Sequence, residues 1–306
     1  MIPWKVLETI DTPAGALQLR QRNPGEYLIT IAGRVLMTSS ERSSEEAVAA
    51  LACEHVADRK NPHILIGGLG MGYTTRAALD GLPRAARITV AELTREVDTW
   101  CRGPLAVLTR GAVLDKRVKV VIDDVARVIE RARPGMYDAI IHDLYEAPHA
   151  AQRRLNDPFY GRMALERTHR ALAPGGVLAI WSEEANAVFK KRMLDAGFDT
   201  RIRHPGGSRA YVVYVGERVE GDAHWISMRR RENRERDAAK ERGAAAPHPE
   251  KDAATPTTPP ARAGRQPRTG RPVRFGRAER SAPPAAAAAP ARLDRAGAPG
   301  RGPRRR

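Results

Sequence analysis

Ile64-Leu65-Ile66-Gly67-Gly68-Leu69-Gly70-Met71-Gly72 sets an unbroken apolar run directly before a cluster of glycines. A strand that is apolar at consecutive positions is buried on both faces, which is the situation of a parallel sheet covered by helices. Glycines after such a strand permit a tight turn into a helix, and that helix is expected from about Tyr73 to Asp80. Working outward, the same alternation recurs. Strands are expected over residues 63–66, 87–91, 118–122, 137–142 and 177–181, with helices from residue 95 and over 125–133, 159–172 and 186–196. A last apolar stretch at 211–215 follows Pro205-Gly206-Gly207 and reads as a terminal hairpin strand. Alternating strands and helices with right-handed crossovers give an α/β fold: a doubly wound, Rossmann-like, mostly parallel sheet.

On the N-terminal side, residues 17–21, 26–32 and 34–37 are short strand-like segments broken by Asn23-Pro24-Gly25 and Gly33, a small β meander. Ser43-Ser44-Glu45-Glu46 then offers a capping serine and first-turn acids to a helix running to about Val56. On the C-terminal side periodicity is lost beyond about Trp225. Residues 221–306 hold 21 of the 52 basic and 9 of the 36 acidic side chains, so +12 of the formal +16 lies there, with 12 of the 23 prolines. A segment so rich in Arg, Ala and Pro buries too little apolar area to offset its ordering entropy, and a disordered tail is expected. The expected organisation is therefore a β segment over 1–42, a nucleoside-binding domain over 43–220 and a tail over 221–306.

Several classes drop out. No apolar run reaches the roughly 18 residues that cross a bilayer. The start, Met1-Ile2-Pro3-Trp4-Lys5, does not read as a secretory signal. Cys53 and Cys101 form no CxxC pair, and with scattered histidines no metal site is expected. A reducing, cytoplasmic setting is the expectation. Cys53-Glu54-His55 reads as a helix fragment rather than a metal site, and His142 as a strand-end histidine satisfied by backbone, a proton relay beside Asp143 being the other reading. Arginine-rich tails bind phosphate backbones by releasing counterions, so weak nonspecific nucleic-acid contact through 221–306 is one reading and a solubilising role the other.

In an open parallel sheet, ligands sit beyond the carboxyl ends of the strands. Four successive strands end here in glycine or carboxylate: Gly67, Gly68, Gly70 and Gly72 after the first, Glu92 after the second, Asp123 and Asp124 after the third, and Asp143 after the fourth. The glycines bring backbone close to a ligand, although a βα turn also uses glycine for steric reasons alone. Glu92, at the tip of its strand, can accept both hydroxyls of a ribose or remain a solvated acid. Together these allow either NAD or an S-adenosyl compound. Asp124 can accept the exocyclic amine of adenine or cap the following helix, and an acid there favours the S-adenosyl reading.

Ile64 through Gly72, Ala91-Glu92-Leu93, Val120-Val121-Ile122-Asp123-Asp124 and Tyr137-Asp138-Ala139-Ile140-Ile141-His142-Asp143 resemble the successive strand ends of spermidine synthases. Phe159-Tyr160 and Leu172-Ala173-Pro174-Gly175-Gly176-Val177-Leu178 resemble that family's next helix and fifth strand. The glycine and Pro-Gly-Gly motifs are shared with class I methyltransferases generally; the order of the set favours the polyamine branch. The resemblance implies the class I methyltransferase fold and transfer of an aminopropyl group from decarboxylated S-adenosylmethionine to a small-molecule di- or polyamine. It implies Asp143 as base and amine anchor, Glu146 where the family has a second Asp, and Tyr145 lining the amine channel. It places Glu45 about where related enzymes have a ribose-contacting Gln. The resembled enzymes are commonly dimers, so a homodimer is an expected partner. Gly70 stands where the family carries an Asp that grips the aminopropyl amine. That departure keeps open a methyltransferase using intact S-adenosylmethionine, or a non-catalytic nucleoside-binding protein.

Overall fold

Seven strands form the central sheet, in the order β10-β11-β9-β8-β5-β6-β7. They are β5 (His63–Gly67), β6 (Arg87–Glu92), β7 (Val118–Ile122), β8 (Tyr137–His142), β9 (Leu172–Ser182), β10 (Phe198–Arg203) and β11 (Val212–Arg218). Strands β5 to β9 run parallel; β11 is antiparallel to β9, and β10 antiparallel to β11. A separate antiparallel sheet precedes them: β1 (Lys5–Thr12), β2 (Gly15–Asn23), β3 (Glu26–Ile31) and β4 (Arg34–Thr38), paired in chain order. The helices are α1 (Ser43–Val56), α2 (Tyr73–Gly81), α3 (Arg95–Arg102), α4 (Ala106–Thr109), α5 (Val125–Arg131), α6 (Arg162–Ala171) and α7 (Ala187–Asp195). This is a computed structural model, describing residues 2–145, 148, 156–207 and 211–219. The expected tail over 221–306 and the expected substrate residue Glu146 lie outside the described residues.

The apolar runs follow from two-sided burial. Ile64 and Ile66 of β5 enter one core with Val48 and Ala52 of α1, Ala78 and Leu79 of α2 and Trp100 of α3. Leu65 between them enters the opposite core, with Ile140, Leu178, Ile129 of α5, Leu165 of α6 and Phe189 of α7. Successive strand residues point to opposite faces, so a sheet covered on both needs apolar side chains at every position.

Five elements differ from expectation. The last helix before β9 begins at Arg162, not near Phe159, because Asp157 Oδ1 accepts the N–H groups of Phe159 (2.9 Å) and Tyr160 (2.7 Å) and holds them in a turn. Strand β9 begins at Leu172, which pairs with Tyr137 across a register shift. Helix α1 has Arg42 at its N-cap with no side-chain cap; Ser44 donates instead to the Glu45 carboxylate. Strands β1 and β10, both edge strands, were not expected at all.

Asp138 fastens the lower ends of three strands. Its Oδ2 accepts the His63 N–H (2.7 Å), and its Oδ1 meets Arg59 Nη1 (2.6 Å), while Arg59 Nη2 donates to the Pro174 carbonyl (2.8 Å). Asp138→Ala is expected to lower unfolding stability by about 1–3 kcal/mol, because a partly buried N–H and a guanidinium both lose their acceptor. Urea denaturation checks this, and an unchanged midpoint would show that water replaces the carboxylate at no cost.

Candidate active site at the strand ends

The glycine turn is held by its neighbours more than by its own sequence. Gly68 N–H donates to the Ala91 carbonyl (2.9 Å), and Asp143 N–H to the Gly67 carbonyl (3.1 Å), so the tips of β5, β6 and β8 are tied together. Gly68 has φ +91°, and a Cβ there would lie 2.4 Å from the Asp143 carbonyl oxygen. Gly72, at φ +84°, opens α2 and donates to the Leu69 carbonyl (2.8 Å). Cys101 Sγ, on α3, donates to the Gly70 carbonyl (3.3 Å).

Glu92 lies under this turn. Its Oε2 accepts the Leu69 N–H (2.9 Å) and its Oε1 the Thr94 N–H (2.8 Å), and the residue is buried. Burial pushes its carboxyl above the ordinary range, opposed by the backbone donors of Thr94, Leu69 and Leu93. Each oxygen keeps a second lone pair. Asp124 caps α5, its Oδ1 accepting the Ala126 N–H (2.8 Å), which is the capping alternative raised by its position. Asp123 Oδ1 accepts the Asp124 N–H (2.9 Å), and its Oδ2 pairs with Arg131 (2.8 Å).

Asp143 follows β8, beside the turn. Thr74 Oγ1, in the first turn of α2, donates to its Oδ2 at 2.5 Å. Packing around the carboxyl removes its hydration and pushes its pKa up to about 7; the Thr74 hydroxyl opposes this and the Glu45 charge adds to it. Glu45 is itself buried, on the first turn of α1. The structure thus brings together Gly68, Asp143 and Glu45, and adds Thr74, which the sequence did not single out. A hydroxyl opening a helix after a glycine turn is the signal that could have found it.

The N-terminal sheet reaches the same place. A Cβ at Gly70, where φ is +52°, would lie 2.9 Å from Met37 Sδ of β4. Arg34 at the start of β4 lies 5.9 Å from the ring centre of Tyr145, which is exposed. Tyr73 donates its hydroxyl to the Ser39 carbonyl (2.9 Å), and Trp100 Nε1 donates to Glu8 of β1 (2.6 Å). Gly70 therefore faces a thioether.

His142 departs from expectation. It is fully buried with an edge-on contact to Tyr160 (6.0 Å), and neither ring nitrogen has a partner among the described residues. Burial lowers its pKa to about 4, so the ring is neutral. Among the described residues no cluster of three or more His, Cys, Asp or Glu could hold a metal ion, and no helix is long and apolar enough to cross a membrane.

No protein-family model matches the chain. A polyamine aminopropyltransferase of Prochlorococcus marinus is 26% identical over 181 residues, which are 55% of this chain and 61% of that protein. Another, from Prochlorococcus marinus subsp. pastoris, is 32% identical over 124 residues, 40% of this chain and 42% of that one. The chain thus spans about three fifths or less of the length of these curated relatives. The crystal structure of spermidine synthase from Thermotoga maritima superposes with a TM-score of 0.55 at 18% identity, covering 70% of this chain and 72% of that one. A spermidine synthase in complex with the transition-state analogue AdoDATO superposes equally well. Sequence likeness and fold agree: the chain is similar to polyamine aminopropyltransferases in sequence and to spermidine synthases in fold.

Proposed function

We propose that the chain transfers an aminopropyl group from decarboxylated S-adenosylmethionine to a di- or polyamine. The observation that carries this reading is Asp143: a carboxyl with a pKa near 7, between the glycine turn and the Thr74 hydroxyl, at the strand end where a substrate amine would arrive. A primary amine with an ordinary pKa near 10 arrives protonated and becomes a nucleophile only after a positioned base takes its proton. In the proposed step Asp143 takes that proton, the amine nitrogen bonds to the methylene next to the sulfonium, and the carbon–sulfur bond breaks with its electrons passing to sulfur. Methylthioadenosine leaves. The donor's ribose would use the remaining lone pairs of Glu92, and its adenine amine the Asp124 oxygen not engaged in capping. Glu146 and Tyr145 would hold the far end of the amine.

A second reading, methyl transfer from intact S-adenosylmethionine, is favoured by one observation: Gly70 beneath the Met37 thioether offers no carboxylate to a donor amine. One pair of measurements separates the two. Titration calorimetry with both donors is expected to show tighter binding of the decarboxylated form, with methylthioadenosine released on adding putrescine or a longer amine. Tighter binding of the intact donor, with no methylthioadenosine across an amine panel, would overturn aminopropyl transfer.

A further inference from the structure

A cavity of about 300 Å³ opens on the flank of the sheet, away from the strand ends that form the candidate active site. Leu51, Glu54 and His55 of α1 line one side; Arg201 and Arg203 of β10 and Val215 of β11 line the other. The placement follows from register. Arg201 pairs with Val215 and Arg203 with Val213, and alternation along β10 sends both arginines to the α1 face while Phe198 enters the opposite core. Helix α1 packs mainly over β9 and β8 and touches β11 only lightly, leaving a gap beside β10 with Leu51 and Val215 as its apolar lining.

The polar lining is not self-satisfied. Arg201 Nε is buried with no hydrogen-bond partner among the described residues, and its only ion pair is a long one, 3.5 Å from Nη2 to Asp199. A buried guanidinium N–H left unpaired is costly, so such a group calls for an acceptor. Arg203 has no acidic partner among the described residues. Of the acids nearby, Asp199 already meets Arg201, Glu217 lies 3.9 Å from His55, and Glu54 stands on the α1 wall across from the arginines. Two guanidiniums on one strand face, one with an unmet donor, above an apolar floor, suit a planar or tetrahedral oxyanion.

We propose that this cavity is a second ligand site, which takes the carboxylate or phosphate group of a small organic anion on Arg201 and Arg203. It does not depend on the reaction proposed for the strand ends. The full chain is titrated by calorimetry with inorganic phosphate and, separately, with acetate, against sodium chloride at matched ionic strength. Saturable binding of one of them beyond the chloride control is expected, and which one binds identifies the group. Arg203→Gln, at an exposed position, and Arg201→Gln are each expected to raise the dissociation constant at least about tenfold, as loss of a charged hydrogen bond does. No binding beyond chloride, or unchanged affinity in both variants, would overturn the proposal, the second outcome because the anion then sits elsewhere. Arg203→Gln keeps the test valid if Arg201→Gln fails to fold.

Discussion

Asp143→Asn is expected to lower the rate of methylthioadenosine release by about 10²- to 10⁴-fold, the usual loss when a positioned general base is removed. The amide keeps the shape and can still accept the Thr74 hydroxyl bond, so donor binding should change little while turnover collapses. The pH dependence makes the test specific. A carboxyl that titrates near 7 rather than near 4 gives an activity that rises through about pH 7, and the variant should lose that limb. Stability follows with the opposite sense. The folded pKa lies above the unfolded value of 3.8, so the unfolded chain gives up this proton at lower pH than the folded one. Stability from this group is present below about pH 4 and is lost as pH rises through about 7. The variant lacks the group, so relative to the parent it should be more stable at pH 8 than at pH 5, as read by denaturant midpoints at both pH values. Undiminished turnover in Asp143→Asn would remove Asp143 from the mechanism, whatever the reaction proves to be.

Where sequence reading succeeded, the physics was local or strictly periodic. The strands β7 and β8 end just before Asp123 and Asp143, where the apolar runs Val120-Val121-Ile122 and Ala139-Ile140-Ile141 give way to polar residues at the rim of the sheet. Glu92, Asp123, Asp124 and Asp143 stand out in sequence for the same reason. What each acid does was less legible. Asp124 caps a helix, which its position allowed, but Glu92 holds the backbone of Leu69, and Asp143 takes a bond from a threonine 69 residues earlier. Such pairings are set by which strand tips lie side by side, and nothing in the spacing records them. Strand β1 escaped notice because most of its residues are exposed and its place is set by pairing with β2. Strand β10 was missed although Phe198, Thr200 and Ile202 alternate with Asp199, Arg201 and Arg203: the polar half faces the flank cavity, so the run does not read as core. Met37 over Gly70 was invisible for a third reason, since it joins two separate sheets.

Gly68→Ala is expected to destabilise the protein by about 2–5 kcal/mol and to abolish donor binding. Two costs act together. At φ +91° any side chain is strained, by roughly 1–2 kcal/mol for a left-handed conformation. The added Cβ also meets the Asp143 carbonyl oxygen at 2.4 Å, and this neighbour is backbone, unable to rotate away. Relief must come from parting the tips of β5 and β8, which overpacking typically makes costly by a further 1–3 kcal/mol. Parting them breaks the bond from Asp143 N–H to Gly67, and with it the register of Asp143 against Thr74. Gly25→Ala is the control. Gly25 has φ +80°, yet an added Cβ there meets nothing within 4 Å, so only the conformational cost applies. Thermal or urea denaturation of both variants separates the contributions. A loss at Gly68 no greater than at Gly25 would mean that the strand tips yield freely, and the glycine would then be required for its turn alone rather than for holding Asp143 against it.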